Sequence, residues 1–272
     1  MTIVRSEFRV RSDGQGLGNI WRLIRRFALH PLALGVYLIA TWELVARLGY
    51  IDPFLLPSAS TVFAKLAEML TRGPFVNALR VTGVETVTSF VIAAPLGISI
   101  GYFLAENRYW GAVFRPFFNF LFSIPKSIFL PMFILGFGIG FSQKVAFGIF
   151  STIFIVVISM AAAVESVRPE FKMVAHCYRA NAKQIFLRVY LPAMLPGILE
   201  ALRLAMIFNF TGIILAEMYA SREGVGSLIA NWGESYMLPE LLAGVLAVSA
   251  IAIAFNEVLR ALEERYGKWR SE

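Results

Sequence analysis

The sequence predicts an all-α, polytopic membrane protein with about six transmembrane helices and both termini on the cytoplasmic side. Three observations carry this. Of the 272 residues, 58% are hydrophobic and only 16% charged, with a mean hydropathy of +0.68, against roughly a quarter charged in an ordinary soluble domain. A helix rising about 1.5 Å per residue needs about 20 apolar residues to cross a hydrocarbon layer of about 30 Å, and the chain offers such stretches repeatedly. Lys and Arg are unevenly shared between the loops: seventeen fall on the side of the N-terminus and six on the other, the arrangement of a chain with its basic loops inside.

Residues 1–30 carry Arg5, Arg9, Arg11, Arg22, Arg25 and Arg26 before any apolar run. No short hydrophobic core with a small-residue cleavage site follows, so they read as a retained cytoplasmic leader rather than a signal peptide. Residues 31–260 form the membrane domain. Its first span runs from about Pro31 to Tyr50, with Glu43 and Arg47 spaced to pair on one face. The segment "LLPSASTVFAKLAEML" then reads as a helix start at Ser58 to Ser60 and an amphipathic surface helix. A second span covers Thr86 to Ala105. The third, between Arg115 and Lys144, is interrupted by Pro125, Lys126 and Pro131 and is too long for one straight crossing. The fourth is Val145 to Val164, the fifth about Leu195 to Met218, with Pro192 and Pro196 marking its start, and the sixth about Glu240 to Leu259. Residues 261–272 are a short cytoplasmic tail. "GISIG", with Gly97 and Gly101 four apart, offers a small-residue face for close helix packing.

Few enzyme chemistries are compatible with this inventory. His30 and His176 are the only histidines and lie far apart, so a metal site or a His-based triad is not expected. "GQGLG" at Gly14 to Gly18 lacks both the strand-to-helix setting of a dinucleotide loop and the Lys-Ser/Thr of a phosphate loop. The single cysteine, Cys177, excludes an internal disulfide. The net charge of +7 follows from the loop asymmetry and implies no nucleic-acid partner. What remains are polar groups inside the spans, which are costly there and point to function by default. Lys126, in "SIPKSIFLPMFILGFGIG" with Phe129 and Met132, is a candidate for lining a translocation path, or else pairs with an acid such as Glu217. Asn209 and Glu217 in the fifth span are further candidates, each with a structural alternative in helix packing.

The loop at about 168–190 is the most informative segment. Phe171, Val174, Ala175 and Tyr178 share one helical face, and Ala182, Ile185, Phe186, Val189 and Tyr190 share a second. Opposite them Lys172, His176, Arg179 and Lys183 form one mostly basic stripe. An amphipathic helix pair of this kind lies on anionic headgroups or docks into a groove of a partner.

Here the sequence resembles the membrane subunits of bacterial ABC importers, in particular the branch handling nitrate, sulfonates and taurine. Those subunits carry a cytoplasmic Glu-Ala-Ala, three residues, Gly-Ala, and about eleven residues later a Leu-Pro that opens the next span. Counting back from Leu191 and Pro192 places Met173, Val174 and Ala175 on the Glu-Ala-Ala positions and Arg179 and Ala180 on the Gly-Ala. The acidic residue and the glycine are thus replaced. Arg179 disfavours the positive φ that glycine allows, so the loop either turns differently or continues as one helix through Arg179. "LLPSAS", "SIPKSIFLPMFILGFGIG", "ALRLAMIFNFTGIILAEMYASREGVGSLI" and "LEERYGKWR" extend the resemblance over about residues 30 to 270.

The resemblance implies the ABC importer permease fold in the bacterial inner membrane. It implies a second permease chain, identical or different, two ATP-binding subunits that carry ATP and Mg, and a periplasmic or lipid-anchored solute-binding protein. This chain itself would bind no cofactor and catalyse nothing. The loop from Lys172 to Lys183 would couple nucleotide state to the pathway, and the solute would be a small organic or inorganic anion. The alternative reading is a stand-alone channel or secondary carrier for a small anion.

Overall fold

The computed structural model describes residues 31–49, 51–52 and 54–267. The basic leader and the last residues of the tail lie outside them. The chain divides into two compact units, Met1–Phe63 and Ala64–Glu272, and among the described residues all regular structure is helical.

In the first unit, α1 (Pro31–Arg47) is 17 residues of mostly apolar sequence, at the lower limit of length for a crossing. The predicted Glu43–Arg47 pair is present, at 2.6 Å. Glu43 also accepts from the backbone N–H and the hydroxyl of Ser60, at 3.0 and 2.9 Å, and so fixes the start of α2 (Ala59–Thr71). Ser58 caps that start, its hydroxyl accepting from the Thr61 N–H at 3.3 Å.

The second unit holds the long helices. After the end of α2 come α3 (Gly73–Glu106), α4 (Arg108–Ser123), a 3-10 turn (Lys126–Phe129), α5 (Leu130–Phe137) and α6 (Phe141–Glu165). Two short helices, α7 (Pro169–Cys177) and α8 (Ala182–Ile185), lead through a π turn (Phe186–Tyr190) into α9 (Leu191–Ala220), followed by α10 (Val225–Glu234) and α11 (Leu238–Gly267). Among the described residues, four helical stretches are long and apolar enough to span: α3, α6, the run Lys183–Ala220 and the bulk of α11. Lys65 reaches Glu240 at the start of α11 at 3.1 Å, and that carboxylate holds its ammonium above the ordinary lysine value.

α3 and α6 run parallel. Glu85 meets Lys144, Ser89 lies against Gly148, Gly97 against Val156 and Gly101 against Met160, each pair 59 positions apart. α9 runs antiparallel to both, with Thr82 on Glu217 and Ser89 on Asn209, and Ser151 against Gly212 and Ala163 against Gly197. Parallel neighbours joined in sequence require the chain to return across the bundle between them. α4 and α5, bent by 92° at the 3-10 turn, make that return, so the predicted third span is a broken crossing and not a surface excursion.

The seams are close-packed and small-sided. A Cβ on Gly97 would fall 2.6 Å from the Cβ of Val156, and one on Gly101 would fall 2.6 Å from the carbonyl oxygen of Val157. Glycine is required there for the backbones to approach, which is how helices associate when lipid offers no hydrophobic preference.

Several expected boundaries shift. α3 begins at Gly73, well before Thr86, and α11 continues past 260 into the predicted tail. Pro192 and Pro196, read as helix-breaking residues at the start of the fifth span, do not interrupt the helix. Pro196 sits inside α9, and Pro192 in its first turn follows the π turn, which widens the helix just upstream, where a proline ring would clash with the preceding turn. The second half of the loop and the fifth span are therefore one continuous helix. Pro125 and Pro131 do flank a break, on either side of the 3-10 turn.

Candidate functional site

The loop joining α6 to α9 is built to hold a fixed shape. α7 ends in a left-handed residue, Arg179 at φ +54°, and the Ala180 N–H donates to the Ala175 carbonyl at 3.0 Å. This is the six-to-one closure of a Schellman turn, with Ala175 and Ala180 packed on the same buried cluster beneath. The chain thus turns at Arg179, in the conformation glycine favours, although the residue is arginine. α8 then starts with a reciprocal cap: the Gln184 N–H donates to Asn181 Oδ1 at 2.8 Å and the Asn181 N–H to Gln184 Oε1 at 2.9 Å.

Below the turn, Ile185, Tyr190, Met194 and Ile198 pack with Met160, Ala163 and Val164. Tyr102 meets Phe186 edge-on with centroids 4.8 Å apart, and the Tyr190 hydroxyl donates to Glu106 at 2.7 Å. Facing away, Phe171, Met173, Val174 and Tyr178 stay exposed, Tyr178 at 85%. Of the apolar face predicted for α7, Ala175 alone packs inward on the bundle. Arg179 and Lys183 are exposed beside it; the side chains of Lys172 and His176 lie outside the described part of the structure. The loop therefore presents apolar side chains flanked by cations, anchored rigidly from behind.

The opposite end of the bundle holds a buried polar cluster. Glu85 and Lys144 form an ion pair with side chains 1% and 2% exposed. Glu217, fully buried, accepts from the Thr82 hydroxyl and from the Gly226 N–H, both at 2.7 Å, while Thr82 Oγ1 accepts from the Val225 N–H at 2.9 Å. Gly224, at φ +99°, and Gly226 wrap this carboxylate so closely that a Cβ on either would strike it. Above the Glu85–Lys144 pair opens a cavity of about 510 Å³, lined by Arg80, Arg222, Glu223 and Asn77 among others.

The family model for the inner membrane component of binding-protein-dependent transport systems matches residues 93–270. The chain belongs to this family. The permease is 29% identical over 258 residues to the taurine transport system permease protein TauC of Escherichia coli strain K12, covering 93% of each chain. It is 26% identical over 240 residues to SsuC of Bacillus subtilis strain 168, named for aliphatic sulfonates transport, covering 88% of this chain and 87% of that one. Among solved structures, a chain of a bacterial ABC transporter involved in the import of alginate superposes with a TM-score of 0.64 at 13% identity, over 93% of the permease and 96% of that chain. The fold is that of an ABC importer permease, and the protein is a multi-pass transport component of the inner membrane.

The residues singled out from the sequence fall at three places in the permease. Lys126 lies at the bend after α4, half-buried, donating to the Phe122 carbonyl with its ammonium 4.6 Å from the Phe122 ring and 5.8 Å from that of Phe154. It makes no ion pair with Glu217, whose partners are Thr82 and Gly226. Phe129 packs its ring on Phe150 at 5.1 Å, and Met132 is exposed on α5. Asn209 is fully buried between α9 and α3, accepting from Ser89 and donating to the Thr86 carbonyl, each at 2.7 Å.

Lys144, with Glu85, is the buried charge that the sequence reading passed over. Both stand at the edge of an apolar run, where a charge is ordinarily solvated. The Asn181–Gln184 cap was also missed, though Asn-x-x-Gln ahead of an apolar pattern is a readable helix start.

Proposed function

We propose that the permease moves a small anion, of the sulfonate, taurine or nitrate kind, inward by alternating access, powered by ATP and Mg held on two separate ATP-binding subunits. It works with a second permease chain, a copy of itself or a different one, and receives solute from a periplasmic or lipid-anchored binding protein. The loop end faces the cytoplasm, in keeping with the basic side of the sequence. The observation that carries this reading is the exposed face of Phe171, Met173, Val174 and Tyr178 on a loop whose other side is locked to α3, α6 and α9. An apolar helix face backed by a rigid anchor transmits the movement of a docked partner instead of absorbing it. The printed names of the similar permeases, for taurine and aliphatic sulfonates, support the solute class.

In this reading ATP binding draws the two loops together and favours the outward-open state, and hydrolysis restores the inward-open one. The linkage is a population shift between those states. The test is reconstitution with the cognate ATP-binding subunit and binding protein. Solute-loaded binding protein is expected to stimulate ATP hydrolysis, and Met173→Asp with Tyr178→Asp to abolish recruitment of the ATP-binding subunit while the permease still folds. Solute uptake without any ATP-binding subunit would instead establish a stand-alone carrier.

A further inference from the structure

We propose that the cavity at the end of the bundle opposite the loop is a binding site, on this chain itself, for the oxyanion group of a small organic anion, with Arg80 and Arg222 as its ligating pair. The solute class rests on the import reading above; the site rests on the geometry.

Five charged side chains line the cavity, and they sort into two layers. At the floor, the Lys144 ammonium is committed to Glu85, with the Glu223 backbone carbonyl 3.4 Å away. At the mouth stand Arg80, from α3, and Arg222, from the turn after α9, both exposed and neither joined to a carboxylate among the described residues. Against these two guanidiniums the mouth supplies one carboxylate, Glu223, so the opening carries an excess of positive charge. The floor's ion pair is self-neutralising, so the charge at the mouth is set by the two arginines and Glu223.

Val84, Ile139 and Phe141 complete the wall. Paired guanidinium forks recognise planar or tetrahedral oxyanions by bidentate hydrogen bonds, which a lysine cannot reproduce. An apolar wall beside them takes a short alkyl chain. Together they fit a small alkyl sulfonate or carboxylate. Both arginines line a concavity of about 510 Å³, large enough to hold such a solute.

The experiment uses the assembled transporter in lipid nanodiscs without binding protein, probed with ethanesulfonate and with taurine by saturation-transfer NMR. Wild type is expected to bind saturably, Arg80→Gln with Arg222→Gln to weaken binding about tenfold or more, and Arg80→Lys with Arg222→Lys to retain part of it. If the paired Gln variant fails to assemble, the single Gln variants carry the same test, each expected to weaken binding about threefold. No saturable binding by wild type overturns the proposal. So does unchanged binding by the Gln variants; if those variants also lose stimulation by the binding protein, the arginines are a docking contact instead. Uptake is measured in parallel: binding at this site without uptake of any sulfonate leaves the site standing and rejects the solute class.

Discussion

Arg179 holds a backbone conformation that residues with a Cβ avoid, at a cost of about 1 to 2 kcal/mol, and it does so because the Schellman closure and the packed pair Ala175 and Ala180 fix the turn on either side. Arg179→Gly is therefore expected to stabilise the closed loop by about 1 kcal/mol, seen as roughly fivefold slower hydrogen exchange at the Ala180 amide. Arg179→Ala removes the same charge and keeps the strain, so it should leave that rate unchanged; equal rates for the two variants would show that the turn stores no strain. At the other end, Lys144→Met strands the Glu85 carboxylate in a buried site within electrostatic reach of Glu217, where loss of one partner costs about 3 to 5 kcal/mol. Combining it with Glu85→Leu should recover most of that loss, because two apolar side chains need no partner. Unfolding of the four proteins of this cycle in detergent measures the coupling, and additivity would mean that the pair is not formed.

Between helices the decisive feature is how close α3 and α6 come, and the two glycines of α3 predict different rescues. Gly97→Ala meets the side chain of Val156, so Val156→Gly should restore part of a loss of about 1 to 3 kcal/mol. Gly101→Ala meets the Val157 backbone carbonyl, which no side-chain change can move, and no such rescue is expected. Thermal unfolding of the single and double variants separates these outcomes. The "GISIG" spacing made this seam legible in the sequence, as hydropathy did the long helices and the prolines did the break after α4. The parallel register was not legible, because the 59-position offset is set by the path of α4 and α5 and by no local pattern. That is also why Glu85 and Lys144 read as two separate boundary charges. The helix running through Pro192 was hidden for a related reason: a proline in a first turn is the ordinary mark of a helix start, and the π turn that permits continuation has no sequence signature of its own. α10 escaped notice because ten residues of mixed polarity carry too little periodicity to stand out.

Across the whole molecule, α3, α6 and α9 are tied at every depth. Thr82 with Glu217, Ser89 with Asn209, the glycine seam at Gly97 and Gly101, and Tyr190 with Glu106 follow one another from the cavity to the loop. Packed cores with two discrete arrangements transmit displacement; loosened ones dissipate it. A push on the loop should therefore move the three helices as one body and reach the opposite end undiminished, with Asn209 as the midpoint fastener. Asn209→Ala removes both bonds to α3 and leaves a void in a buried seam, a loosening of about 1 to 3 kcal/mol. The expected consequence is a lower ratio of solute moved to ATP hydrolysed in proteoliposomes, with assembly intact and hydrolysis retained, since the loop and its exposed apolar face are untouched. Thr88→Val and Ser99→Val are the controls, because those hydroxyls bond only within their own helix on its exposed or half-buried side, and the ratio should hold. A wild-type ratio in Asn209→Ala would mean that the helices need not be fastened at mid-depth.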